Sequence, residues 1–258
     1  MTATDTVRPA PRTPLAPPAA IPFGRLVRVE LRKATDTRAA RWLLGISALA
    51  TVALMLAPLL AKNSIDQSWS TYLMFAGFGL SSLLPVVSIL TLTTEWTQRT
   101  VLTTFAQEPR RSRVVSAKVT VSLLMALAAI VFGALVTAGA LGIASATGRD
   151  LVNDLGAANV MGFVLFVLAN VAMGVAFGAV LHNSAAAIVL FFVLPVIFGF
   201  LNAAISSVGR WIDTGTTFNW LAEGDFDGHV PNILVSLGLW VVLPLAAGVV
   251  RTVRREIK

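Results

Sequence analysis

Six stretches of this 258-residue chain are almost free of charge, and most of them run to about 20 residues or more. A hydrocarbon core roughly 30 Å thick takes about 20 apolar residues in a helix rising 1.5 Å per residue. Lipid offers no hydrogen-bond partner, so each crossing segment must satisfy its own N–H and C=O groups, which a helix does. The runs therefore predict an all-α integral membrane protein with six spans, at about 42–61, 69–94, 114–146, 158–181, 184–208 and 232–250. Charged residues make up only 13% of the chain, against about 25% in a soluble domain, and they are packed between the runs.

Around this six-helix unit, 42–250, the flanking segments have distinct characters. Residues 1–20 hold Pro9, Pro11, Pro14, Pro17 and Pro18 and lack an apolar core with a cleavage site, which reads as a disordered tail rather than a signal peptide. Residues 21–41 place Phe23, Leu26, Val27, Glu30, Leu31 and Ala34 on one side of a helix, with Arg25, Arg28, Arg32 and Lys33 over the rest. That pattern predicts an amphipathic basic helix lying on the membrane surface, with Glu30 as its flaw. The linker 209–231 is acidic and aromatic, and interfacial or partly re-entrant pieces are expected there. Residues 251–258 form a basic tail. With the N-terminus inside, seventeen lysines and arginines fall on the inner face and three on the outer. The positive-inside rule then places both ends in the cytoplasm, in a plasma or inner membrane.

Several functions are disfavoured by what the chain lacks. With no cysteine there is no disulfide or thiolate metal site, and His182 and His229 each stand without a second ligand at helical spacing. The net charge of +7 clusters beside apolar runs without a base-stacking surface, so no nucleic-acid partner is expected. No G-x-x-x-x-G-K-[ST] sequence occurs, no catalytic Ser/His/carboxylate group is visible, and no span carries a relay of ionisable groups. The chain is not expected to be an enzyme, and energy for any uphill transport would come from a partner.

The most informative segment is 93–118, TTEWTQRTVLTTFAQEPRRSRVVSAK. Val101, Leu102 and Phe105 recur at helical spacing, which predicts a short helix with one apolar face, stopped by Pro109. Glu95 closes the second run, and Arg99, one turn later, is a natural ionic partner. Here the chain resembles the permeases of type-2 ATP-binding cassette exporters, whose fold is also described as type V. In those proteins a glutamate ends the second span, a coupling helix with an Arg/Gly-Thr element follows, and a proline and basic run lead to a lysine at the base of the third. The matching positions are Glu95, Arg99, Thr100, Pro109, Arg110, Arg113 and Lys118. The resemblance implies a permease that pairs with a second copy or a homologue and binds cytoplasmic ATPase subunits, which hold the ATP and magnesium. It would export a drug, antibiotic or lipid-like amphipathic compound by alternating access. Val101, Leu102 and Phe105 would seat in a groove of the ATPase, apolar face first.

Within the spans, Asn170 and Asn202 should face other helices or a cavity, since lipid cannot bond them. As mid-span polar groups Asn170 and Asn202 are candidates for the substrate path between two copies, and the resemblance, which places spans two and five at the subunit interface, makes Phe198 and Asn202 candidates for substrate contact. Gly174 and Gly178 form a small-residue step suited to close packing within one subunit or to a dimer contact, and Pro195 and Pro244 are expected to kink their helices. Two other classes stay open: a self-sufficient transporter or channel, and a permease-shaped immunity or sensory protein.

Overall fold

A computed structural model of the protein describes residues 21–61 and 64–254. The expected tail 1–20, Lys62 and the last four residues of the basic tail lie outside the described residues. The architecture is all-α, with six helical stretches long and apolar enough to cross a membrane. Helix α1 (Phe23–Asp36) precedes the first stretch, which is made of α2 (Arg38–Leu54) and α3 (Leu56–Leu60). The next are α4 (Trp69–Thr97), α6 (Arg111–Ala146), α7 (Ala157–Leu181) and α8 (Ser184–Ala204), with the short α5 (Val101–Gln107) between α4 and α6. Two small helices, α9 (Ser206–Ile212) and α10 (Thr214–Glu223), lead to α11 (Val230–Leu237) and α12 (Leu243–Arg254), which together form the sixth.

Helices α4 and α7 form the centre. Their most apolar windows are 61% and 67% buried, whereas that of α8 is only 11% buried. Closeness of the two central helices follows from Gly174 and Gly178. A Cβ on Gly174 would lie 2.7 Å from the Pro85 carbonyl oxygen, and one on Gly178 would lie 3.0 Å from the Leu92 Cβ. The small-residue step is thus used inside the chain, between α7 and α4.

Prolines shape the outer helices through the donors they remove. Pro58 cannot donate to the Leu54 carbonyl, and the first stretch breaks there into α2 and α3. Pro244 follows a π-helical turn at Gly238–Val242, where Leu243 N–H bonds back to the Gly238 carbonyl; the wider turn accommodates the imino ring that an α-helical ladder would reject.

The fifth stretch ends at Ala204, short of the expected 208, because Ile205 leaves helical geometry. The linker then forms the α9–α10 hairpin. Asp213 caps α10 through the N–H groups of Gly215 (2.9 Å) and Thr216 (3.3 Å). Phe218, Leu221 and Ala222 of α10 are buried against the core. At this far end Arg149 donates to the Pro58 and Leu59 carbonyls and to Gln67 Oε1, and Tyr72 donates to the same Gln67 oxygen at 2.8 Å. One polar knot therefore joins the loops around 67 and 149.

The opposite end, here called the base, gathers α1, α5 and the C-terminal turn of α12. Arg113 donates to the Ile21 carbonyl (2.6 Å) and Arg111 to that of Thr252 (3.3 Å). The apolar face of α1 packs on the protein: Val27, Leu31 and Ala34 lie against Val87, Val121 and Met125 of α4 and α6. Burying that face against protein is more specific than floating it in lipid, and it turns the arginines outward.

Gly174→Ala should lower unfolding free energy in detergent by about 1–3 kcal/mol through overpacking against the Pro85 carbonyl. Gly139→Ala, whose added Cβ meets nothing within 4 Å, should be neutral or slightly stabilising.

Candidate functional site

Counted from Trp69, about 20 residues of α4 cover a 30 Å slab, so Glu95 lies roughly 10 Å past it. Lys118 lies a similar distance past the slab counted back from Ala146. Both therefore stand at the base, where α1 crosses them. Lys33 Nζ is 2.8 Å from Glu30 Oε1 and 2.8 Å from Glu95 Oε1. Lys118 Nζ is 2.6 Å from Glu30 Oε2 and 3.3 Å from Glu95 Oε2. Each carboxylate bridges both ammonium groups, which closes a four-membered ring of zero net charge joining α1, α4 and α6.

The ring is enclosed on one side only. The Glu30 and Lys118 side chains are 4% and 7% exposed, while that of Lys33 is 46% exposed. Burial works against the charged form of Lys33, but the hydrogen bonds and charges of Glu30 and Glu95 outweigh it and raise its pKa above the ordinary 10.5. Lys118 also donates to the Thr91 carbonyl (3.1 Å), and Thr104 of α5 donates to Glu95 Oε1 (3.0 Å), so the short loop helix is tied to the ring.

Local backbone geometry sets that loop. After α4, Thr100 N–H bonds to the Glu95 carbonyl (2.9 Å) and Arg99 adopts the left-handed conformation at φ 58°, a helix-ending motif in which glycine is the usual occupant. This geometry overturns the expected Glu95–Arg99 pair: Arg99 is exposed, and the partners of Glu95 are Lys33, Lys118 and Thr104. Thr100 is exposed and its carbonyl accepts from Thr103 N–H (3.1 Å) as α5 begins. Exposed Pro109 forces the preceding Glu108 into extended backbone, which ends α5. Glu108 then pairs with Arg113 (3.0 Å) and accepts from the Arg110 N–H (3.3 Å), while Arg110 itself is exposed.

The single apolar face expected for α5 is split. Val101 is only 6% exposed and belongs to the protein's own interior. Phe105 is half-buried, edge-on to Trp96 (6.3 Å) and beneath the Arg111 guanidinium (5.1 Å). Only Leu102, 54% exposed, points outward, beside exposed Thr103, Ala106 and Gln107. Trp96 in turn stacks on His182 (4.0 Å), whose Nε2 lies 2.9 Å from Thr252 Oγ1. The base of α7 and the end of α12 are thereby joined to the same platform.

A cleft of about 1020 Å³ lies between α1 and the start of α2 on one side and α4 and α5 on the other. Val29, Ala39, Val87 and Leu90 give it apolar walls, and Thr91, Thr94, Thr103 and the ring give it polar ones.

The expected substrate-path residues do not assemble. Asn170 donates to the Phe166 carbonyl of its own helix (2.9 Å), so its amide is spent locally. Asn202 sits near the end of α8 rather than mid-span, and bonds Asp213 (3.3 Å) and Thr216 (3.0 Å), holding the α9–α10 hairpin. Phe198 packs on Trp240 (4.9 Å) between α8 and the sixth stretch. None of the three lines the cleft. Sequence reasoning passed over Glu30, Lys33 and Thr104 as site residues, although a carboxylate on the apolar side of α1 with a lysine three residues on was a visible signal.

Compared with known proteins, the chain matches no family model and no curated protein.

Lys118→Met leaves Glu30 nearly buried with half its compensation and should cost about 3–5 kcal/mol of unfolding free energy. Adding Glu30→Gln should recover part of that loss, with a coupling above about 1 kcal/mol in a double-mutant cycle. Because the Lys33 pKa is raised, its contribution to stability is fully present below pH 10.5 and is lost as pH rises through the higher folded value. Wild-type unfolding midpoints should fall in that alkaline window, and Lys33→Met should lack the step.

Proposed function

We propose that this chain is the membrane-spanning subunit of a type-2 ATP-binding cassette exporter, with the base facing the cytoplasm and α5 as its coupling helix. The observation that carries the reading is the linkage of α5: Thr104 bonds the Glu95 carboxylate of a ring that also clamps α1 and α6, while Leu102, Thr103, Ala106 and Gln107 are left exposed on the outer side. A helix held this way transmits displacement instead of absorbing it. The positive excess around the base supports its cytoplasmic placement.

The partner would be a soluble ATPase that contacts the exposed side of α5 through Leu102, with Val101 and Phe105 serving as the root of the helix inside the permease. A second permease copy or homologue completes the transporter, and closure of the ATPase pair pushes α5 to drive alternating access. The cleft beside the ring, with apolar and hydroxyl-bearing walls, suits an amphipathic compound such as a drug, antibiotic or lipid.

Leu102→Asp should abolish co-purification with an ATPase encoded beside this chain, because a charge in a seated apolar contact costs binding while the exposed position spares the fold. Membrane insertion and unfolding midpoint should stay as in wild type. Unchanged ATPase capture by the folded variant, or ATP turnover by the purified chain alone, would discard this reading in favour of a self-sufficient transporter.

A further inference from the structure

The inner side of α1 is accounted for by the ring and by its packing on α4 and α6; its outer side is not. Arg25, Arg28 and Arg32, spaced by three and four residues, lie on the side of the helix opposite Glu30. All three are exposed, and among the described residues none has a hydrogen-bond acceptor or an ion-pair partner. Asp36, the acidic group nearest the stripe along the helix, is occupied by Arg41 at 3.2 Å. Arg32 stands where the stripe meets the rim of the cleft, whose wall Val29 forms, while Arg25 and Arg28 lie clear of it.

Depth decides what such a stripe meets. The residues on which α1 is seated include Val87 and Met125. Val87 lies roughly 27 Å along α4 from Trp69, and Met125 roughly 31 Å along α6 from Ala146. With the ring roughly 10 Å farther out, these contacts place α1 across the headgroup zone that begins at the edge of a hydrocarbon layer roughly 30 Å thick. Guanidinium groups on long stems, facing away from the bundle at that level, reach phosphates.

We propose that Arg25, Arg28 and Arg32 form a docking stripe for anionic phospholipid headgroups of the leaflet at the base. The stripe offers forked donors matched to phosphate oxygens. The lipid is bound on the reverse of the helix that carries Glu30 and Lys33, so it braces the ring from outside. The inference rests on the membrane topology proposed above and not on the ATPase partner.

The test titrates the full chain, purified in neutral detergent, with phosphatidylglycerol, phosphatidylcholine or inorganic phosphate, and reads bound lipid by native mass spectrometry. Wild type should retain phosphatidylglycerol in preference to phosphatidylcholine. At roughly fivefold per arginine, R25Q/R28Q/R32Q should weaken phosphatidylglycerol binding by about a hundredfold and leave phosphatidylcholine binding unchanged. R25K/R28K/R32K keeps the charge and should retain most of the preference. Equal binding of the two lipids by wild type, or undiminished phosphatidylglycerol binding by the glutamine variant, would overturn the stripe. Displacement of the lipid by inorganic phosphate would reassign it to a soluble anion. Because the sequence has no cysteine, Gly24→Cys, an exposed position with open space around it and one turn before Arg28, gives a single spin-label site in phosphatidylglycerol bilayers. A label at headgroup depth is the expected result. A label in bulk water with the spans inserted refutes the stripe alone, whereas failure of the spans to insert refutes the topology.

Discussion

An ammonium and a carboxylate near an apolar bundle are costly singly and tolerable only in balance, and the base of this protein is organised around that fact. Two lysines and two glutamates from three helices balance in a closed cycle, each acid meeting both bases. No member can leave without stranding two neighbours. The cycle therefore specifies where α1 crosses α4 and α6, which apolar packing by Val27, Leu31 and Ala34 alone would specify loosely. That crossing also gives the cleft its ring-lined wall, and Thr104 of α5 ties the loop helix to the same ring.

The six helical stretches were legible in the sequence because crossing length and charge exclusion act on each segment separately. So was α5, whose end is dictated by Pro109. The site was legible only in part. Glu95 and Lys118 stand out as charges at the ends of apolar runs, but their partners on α1 are Lys33, 62 residues before Glu95, and Glu30, 88 residues before Lys118, where it looks like a defect. Periodicity scores Glu30 as an error in an apolar face; only the tertiary crossing turns it into the centre of that face. The Glu95–Arg99 expectation failed for a local reason, since spacing within a helix predicts contact only while the helix continues. Here it ends at Thr97, and Arg99 takes the left-handed geometry that points it away.

The substrate-path candidates share one feature, a partner within the chain. A polar side chain in an apolar span needs a partner, and sequence cannot say whether that partner is a ligand, another helix or its own backbone. Asn170 found the carbonyl four residues behind it, and Asn202 found the Asp213 cap. Each amide nitrogen is engaged at short range. The cleft, by contrast, is walled by threonines and small apolar residues that no hydropathy argument would single out, because its shape arises from the angle between α1 and α4.

The base also has a graded set of attachments, and their order says how it can move. Within it, α1, α4 and α6 share the ring, and α5 joins through Thr104 and through Val101 and Phe105 packed under Trp96 and Arg111. The connection from α1 to the first span is far weaker: Thr37 is extended, and the Asp36–Arg41 pair across the junction is about two-thirds exposed on both sides, where such pairs contribute little. A push on the exposed side of α5 would then reach α1, α4 and α6 as one body, and the strain would collect at residues 36–38. That junction lies at the mouth of the cleft, whose lining includes Asp36, Thr37 and Ala39. Displacement at the loop helix would in this way shift the α2 edge of the cleft's mouth, at Thr37 and Ala39, against the body formed by α1, α4, α5 and α6.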